Sequence, residues 1–310
     1  MQEHKAEAML YETLVYLYKG DEENAYKAYS EVLLSLDITK PVNDYLYDLA
    51  KLTRFTQADI FSAYQRVCLA FEAYTFDYTI LTPTSPSFPP CLLDGEFPVR
   101  FLYLVGNVEL LKKNKVGLLG MHLPSLQGKD DALKQLEEVK EAGAVLTTTL
   151  DLGLPSFAIS VAEKINLETI LVLQTPLHQC LPVTEKEKMV RIANTGGLLI
   201  TRFAPCRKVE KWYAVLRNRL FAQIVDLLLL VEEKDGGPGW NIAQILMSNN
   251  KDVVFPKQFV ENINYKYAQK YAGLNHTMIY KKKDDLLKKL KPKKKREKKE
   301  VDSFVQLSLF

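Results

Sequence analysis

Apolar residues recur at three- and four-residue spacing through AMLYETLVYLY, AYKAYSEVLLSL, DYLYDLAKL and ADIFSAYQRVCLAFEAY, which predicts a run of amphipathic helices over residues 1–80. Gly20 and the pair Lys40, Pro41 punctuate them, and Thr56 followed by Asp59 predicts an N-cap for the last helix. The tyrosines of this stretch sit at helical spacing and read as core rather than as a surface for stacking bases. A joint follows, LTPTSPSFPPCLLDGEFP, with four prolines between positions 83 and 90. Beyond it the period changes. Short leucine-rich or β-branched runs (FLYLVG, KVGLLG, GAVLTTTL, TILVLQ, GGLLITR, DLLLLVEE, KDVVFP) alternate with helical segments such as LKQLEEVKEAG, PSFAISVAEKI and WNIAQILMSN. This alternation predicts an α/β class, a Rossmann-like parallel sheet domain over residues 81–275, preceded by a separate N-terminal all-helical domain. Residues 276–300 read as a Lys-rich flexible tether, part of a disordered basic C-terminal tail, because that composition buries little. Residues 301–310 end in the apolar peptide VQLSLF.

Composition narrows the class further. With 47% apolar and 25% charged residues the chain is not disordered throughout. No apolar run approaches the roughly 20 residues of a membrane helix, and the opening MQEHKAEA is charged where a signal peptide is apolar. A cytoplasmic protein without a membrane partner is expected. Cys68, Cys91, Cys180 and Cys206 lie far apart without a CxxC, which suits thiols in a reducing compartment better than a zinc site. The net charge of +3 is unevenly spread: residues 281–300 hold twelve Lys and Arg against four Asp and Glu, so the preceding 280 residues are mildly acidic. Bulk attraction for nucleic acid therefore belongs mostly to the tail.

Three segments carry candidate chemistry. Residues 116–128, VGLLGMHLPSLQG, run from a strand into a glycine-bearing loop before a helix, where backbone N–H groups can meet a phosphate and Ser125 can add a hydroxyl; an ordinary strand-to-helix turn explains the same residues. Arg217, Asn218 and Arg219 stand on a helix entering the strand DLLLLVEE, placed to bind phosphate oxygens or an internal carboxylate such as Glu232. The loop DGGPGW, residues 235–240, permits close approach of a ligand at the carboxyl edge of a sheet, or is a plain turn. His4, His122, His178 and His276 have no evident carboxylate or nucleophile partner, and no Walker A, GxSxG or HExxH occurs, so no catalytic residue, cofactor or metal is expected.

The order of segments PSFPPCL, FLYLVGN, VGLLGMHLPSLQG, EAGAVLTTTLDLGLP, ETILVL, TGGLLITRFAP, LRNRLFA, DLLLLVEE and DVVFP resembles the DprA/Smf family of bacterial DNA-processing proteins over about residues 85–258. The family series runs YPxxL, LyxxGn, vxiVGsRxxSxyG, GxxxvSGxAxGiDxxaH, TiaVL, GxllSE, RNRiIa, vlVvEa and vfavPG. The resemblance implies a non-catalytic protein that binds single-stranded DNA and loads the recombinase RecA in recombination and transformation, with a homodimer formed through the α/β domain. Gly120, Ser125, Gly128, Arg217, Asn218, Arg219 and Glu232 match. His122 stands at the arginine of the GSR triplet, Thr148 and Thr149 at Ser and Gly, Pro155 at the aspartate of GiD, Ile159 at the histidine, and Arg202 at the glutamate of SE. A histidine, mostly neutral at pH 7, does not replace a permanently charged bidentate anchor, so nucleic-acid attraction is expected to shift toward the tail.

Gln306, Leu307, Ser308, Leu309 and Phe310 resemble the QL[S/D]LF peptide that docks on the bacterial β sliding clamp; the alternative is an apolar tail folded back on its own domain. Lys291, Lys293, Lys294, Lys295, Arg296, Lys298 and Lys299 before it form a basic tether suited to phosphates, or a solvated linker. Two other classes stand beside this reading. One is a nucleotide-binding or LOG-type phosphoribohydrolase protein, although DGGPGW lacks the TxxE of that family's PGGxGTxxE motif. The other is a sliding-clamp adaptor whose α/β domain binds only protein.

Overall fold

The computed structural model describes residues 4–94 and 97–290. Four helices open the chain: α1 (Lys5–Leu17), α2 (Glu22–Ser35), α3 (Val42–Thr53) and α4 (Gln57–Glu72). Their ends follow local chemistry. The Asp21 carboxylate accepts the Asn24 N–H at the start of α2, and the Thr56 hydroxyl oxygen accepts the Asp59 N–H at the start of α4, the expected cap. Strand and helix then alternate: β1 (Thr79–Leu81), β2 (Leu102–Gly106), β3 (Lys115–Leu119), α5 (Leu126–Glu141), β4 (Val145–Thr149), α6 (Leu154–Ile165), β5 (Thr169–Val172), α7 (Lys186–Asn194), β6 (Leu198–Thr201), α8 (Tyr213–Ile224), β7 (Leu227–Leu230), α9 (Pro238–Ser248), β8 (Asp252–Pro256), α10 (Lys257–Glu261), α11 (Lys266–Tyr271), β9 (Thr277–Tyr280) and α12 (Asp285–Leu290).

The strands form one sheet in the order β1-β2-β6-β5-β4-β3-β7-β8-β9. The pairs β1–β2 and β2–β6 are antiparallel and all others parallel, so the α/β class is as expected and the sheet is mostly parallel, with β1 and β2 departing from the parallel order expected of it. The chain winds outward from β3 to β6, then crosses back to place β7 on the other side of β3, so the strand order reverses between β3 and β7. That reversal opens a crevice beyond the carboxyl ends of the strands.

Strand alternation assigns the core. Leu102, Leu104, Ile170, Val172, Leu198, Ile200, Leu228 and Leu230 pack against Leu220, Phe221 and Ile224 of α8 and Trp240, Ala243 and Leu246 of α9. On the opposite face, Val116, Leu118, Leu146, Leu227 and Leu229 meet Leu136 and Val139 of α5 and Ala158 and Ala162 of α6. The rest of that face, including Tyr103, Leu171 and Leu199, is covered by α7 and by the N-terminal helices through Tyr11, Leu14, Val32 and Leu49. The helical segment therefore shares a core with the sheet rather than standing apart from it. Ion pairs reinforce the joint: Arg202 Nη2 lies 2.9 Å from Glu22 Oε2, and the Arg207 guanidinium meets the buried Glu12 on α1.

One boundary differs from the sequence expectation. Residues 277–290, placed in the tether, form β9 and α12. Tyr280 donates to Glu138 Oε1 at 2.6 Å, and the Leu287 N–H donates to Glu138 Oε2 at 3.2 Å. Leu286, Leu287 and Leu290 are buried, and Leu286 and Leu290 join the α5 core. A lysine-rich surface conceals an amphipathic helix whose apolar face has a partner about 150 residues earlier.

Two outcomes follow from these contacts. Arg207→Met should destabilise the protein by about 3 kcal/mol near neutral pH, because it leaves Glu12 buried without its cation. Burial already pushes the Glu12 carboxyl above its usual range, with Arg207 opposing that rise. A carboxyl with a raised folded-state pKa costs stability as pH climbs through that pKa. The deficit, read from urea midpoints, should accordingly be larger at pH 8 than at pH 5. Truncation after Tyr280 removes α12 and should lower the thermal midpoint by roughly 5 °C or more, measured by circular dichroism.

Candidate nucleic-acid interface

A cleft of about 610 Å³ opens beyond the carboxyl ends of β3, β4 and β7, at the reversal of strand order. Gly120 and His122 reach it from the loop after β3, Asp151 and Leu152 from the loop after β4, Arg217 and Asn218 from α8, Glu233 and Lys234 from the end of β7, and Pro238 and Gly239 from α9. All three sequence-candidate segments thus contribute to one crevice. Leu119, Met121, Leu123, Pro155 and Ile242 make its walls largely apolar.

The polar groups are already engaged. Arg217 Nη2 sits 2.9 Å from Asp151 Oδ2, and Arg217 Nε donates to Asn218 Oδ1 at 2.8 Å. The internal partner of Arg217 is therefore Asp151, where the sequence pointed to Glu232. The Thr149 hydroxyl donates to the same Asp151 oxygen at 2.9 Å and holds it in place. Among the residues lining the cleft, Arg217 and Lys234 balance Asp151 and Glu233, so its formal charges cancel, and His122 is exposed at its edge.

Ser125 and Gly128 are not brought to the cleft. The Ser125 hydroxyl oxygen accepts the Gly128 N–H at 3.0 Å and caps α5, while the Ser125 N–H donates to Glu232 Oε2 at 2.8 Å. The other Glu232 oxygen accepts the Tyr265 hydroxyl at 2.8 Å. A methyl group on Gly128 would come within 2.3 Å of Glu232 Oε2, so this glycine makes room for the protein's own carboxylate. Gly120 lines the cleft, yet a side chain on it would meet Leu154 at 2.2 Å; its smallness serves the packing of α6.

The RNR triplet divides. Two residues along a helix is about 200° of rotation, so Arg219 leaves the opposite side of α8 from Arg217. Its guanidinium lies over the Phe97 ring, 4.4 Å from the centroid, beside a second groove of about 450 Å³ that includes Gln223 and Lys251. The departures from the family pattern also acquire roles. Ile159 is fully buried, Thr148 donates to the Leu118 carbonyl at 2.8 Å, Pro155 opens α6 and forms cleft wall, and Arg202 holds α2.

Sequence reasoning missed Asp151, Glu233 and Lys234. Two glutamates ending a strand just ahead of a glycine loop were the available signal. Glu233 is buried; burial pushes its carboxyl upward, opposed by the N–H groups of Gly239 and Lys234. The tether residues from Lys291 to Lys299 and the terminal peptide from Gln306 to Phe310 lie outside the described residues. Among the described residues no helix is long and apolar enough to cross a membrane.

A family model for DNA recombination-mediator protein A matches residues 79–291. Protein Smf of Synechocystis is 25% identical over 177 residues, covering 56% of this chain and 44% of that protein. DNA processing protein DprA of Bacillus subtilis is 24% identical over 153 residues, covering 49% and 51%. The chain spans about half the length of the curated relatives it matches. Among solved structures, DprA from Streptococcus pneumoniae superposes with a TM-score of 0.65 at 20% identity, covering 78% of this chain and 86% of that one. DNA processing protein A from Helicobacter pylori, studied for its mode of binding single-stranded DNA, superposes with a TM-score of 0.60 at 21% identity, covering 70% and 96%. With the family model spanning most of the chain, on the fold and the crevice described above, this protein belongs to the DNA recombination-mediator protein A family.

Proposed function

We propose that this protein is a non-catalytic DNA-processing factor of the cytoplasm that binds single-stranded DNA in the cleft at the strand reversal. The observation that carries the reading is the convergence of Gly120, His122, Arg217, Asn218 and Gly239 on one crevice, although they come from segments far apart in the chain. Arg217, paired with Asp151, holds the Asn218 amide by its oxygen and so turns its NH2 to the edges of unstacked bases, and the apolar walls suit base faces. The Lys291–Lys299 stretch adds phosphate contacts that do not depend on sequence. Gln306, Leu307, Ser308, Leu309 and Phe310 dock on the β sliding clamp, which holds the domain near DNA at raised effective concentration. RecA and a second copy of the chain are the partners the family reading adds.

Fluorescence anisotropy of a labelled single-stranded oligonucleotide tests this reading. Arg217→Leu or Asn218→Leu should weaken binding by about tenfold, a loss of the size of one good polar base contact. Unchanged affinity in both would remove the cleft from DNA binding. Truncation after Leu290 should instead flatten the dependence of log affinity on log salt, by about 0.7 for each phosphate that the tether no longer neutralises. For the clamp, Phe310→Ala should reduce binding to the β clamp by at least about tenfold in surface plasmon resonance, leaving oligonucleotide affinity unchanged.

A further inference from the structure

Glu232 and Glu233 are consecutive at the end of β7 and leave it toward opposite faces. Glu232 lies against the N-terminal turn of α5, where it takes the Ser125 N–H. Glu233 lies against the N-terminal turn of α9, where Oε2 accepts the Gly239 N–H at 3.2 Å and Oε1 accepts the Lys234 N–H at 3.0 Å. The glycines of DGGPGW make this possible: a side-chain carbon on Gly237 would fall 2.1 Å from Glu233 Oε1, and one on Gly239 would fall 2.7 Å from Oε2. These glycines admit no outside ligand; they admit the chain's own carboxylate. The Trp240 indole N–H closes the turn on the Lys234 carbonyl at 3.0 Å.

Helix N-termini at a reversal of strand order are the places where sheets of this topology hold phosphates. In this chain both are filled by built-in anions, and the Arg217 fork beside them is paired with Asp151. We infer that Glu233 sets what the cleft accepts: it excludes phosphate groups and leaves an electroneutral, apolar-walled slot for the uncharged part of the strand, the nucleobase. The sugar–phosphate backbone then runs outside, within reach of Lys234. Free nucleotides, which must bring their phosphates with them, are poor occupants. The inference deepens the DNA-binding reading and rests on it for the identity of the base; the exclusion of phosphate stands on the Glu233 geometry alone.

The experiment uses the full chain as wild type, Glu233→Ala and Glu233→Gln. Each is probed with inorganic pyrophosphate by thermal shift, and by anisotropy with an oligothymidine and an abasic strand of equal length, at about 0.3 M salt where the tether's phosphate contacts are weakened. The expected result is that wild type prefers the thymidine strand over the abasic strand by fivefold or more and is not stabilised by pyrophosphate. Glu233→Ala should be stabilised by pyrophosphate and bind the abasic strand at least fivefold more tightly than wild type. Wild type and Glu233→Ala responding alike to pyrophosphate and to the abasic strand would overturn the inference, even if both bind thymidine strands. If neither chain binds either strand, yet Glu233→Ala gains pyrophosphate, the excluding role of Glu233 stands and the DNA reading falls. Glu233→Gln removes the charge at nearly constant volume, so it tests the same exclusion should the alanine variant fold poorly.

Discussion

Successive residues of a strand point to opposite faces, and in this sheet that constraint organises the core up to the point where β7 ends and the site begins. It sends Leu228 and Leu230 toward α8 and α9 while Leu227 and Leu229 meet α5 and α6. Beyond Leu230 the chain leaves strand geometry and the parity reverses, so that Glu232 turns to the start of α5 and Glu233 to the start of α9. Each helix start thereby receives a carboxylate that satisfies backbone N–H groups otherwise without intrahelical partners. The strand end closest to the reversal of order is thus held by its own charges, and the cleft takes its shape around them.

The N-terminal helices depend on the same sheet from the other side. Arg202 and Arg207 follow β6 and reach Glu22 and Glu12, so the turn leaving the sheet is fastened to α1 and α2 by charges that are largely withdrawn from solvent. Such pairs repay their desolvation only with good geometry and further hydrogen bonds. Arg202 meets that condition by donating also to the Phe97 carbonyl at 3.1 Å. The arginine at a position where the family carries glutamate is then a structural exchange, matched by an acidic helix start on α2. This joint holds whatever occupies the cleft.

Within the cleft, electroneutrality is the dominant property. A guanidinium committed to an aspartate and a carboxylate committed to a helix start leave little field to draw in a polyanion, whereas apolar walls and an amide remain open to a base. The replacement of the loop arginine by His122 points the same way. On the proposed reading, long-range attraction falls to the lysine-rich segment beyond Leu290, whose charge would act over a Debye length and be screened by salt. That reading assigns positioning and attraction to different parts of one chain.

The sequence alone determined the class and order of elements, because apolar period and turn residues report local geometry directly. The helices of residues 1–80, the Thr56 cap and the parallel strands were legible for that reason, as were the three segments that border the cleft. Tertiary structure decided which side chains meet there. Arg217 pairs with Asp151 across 66 positions and Ser125 with Glu232 across 107, and no local pattern encodes such distances. It also decided that Arg219 faces away, that the helices share the sheet's core, and that β9 and α12 fold despite their lysines. In each case the outcome depends on a distant carboxylate or apolar face becoming a neighbour, which a linear pattern of residues does not specify.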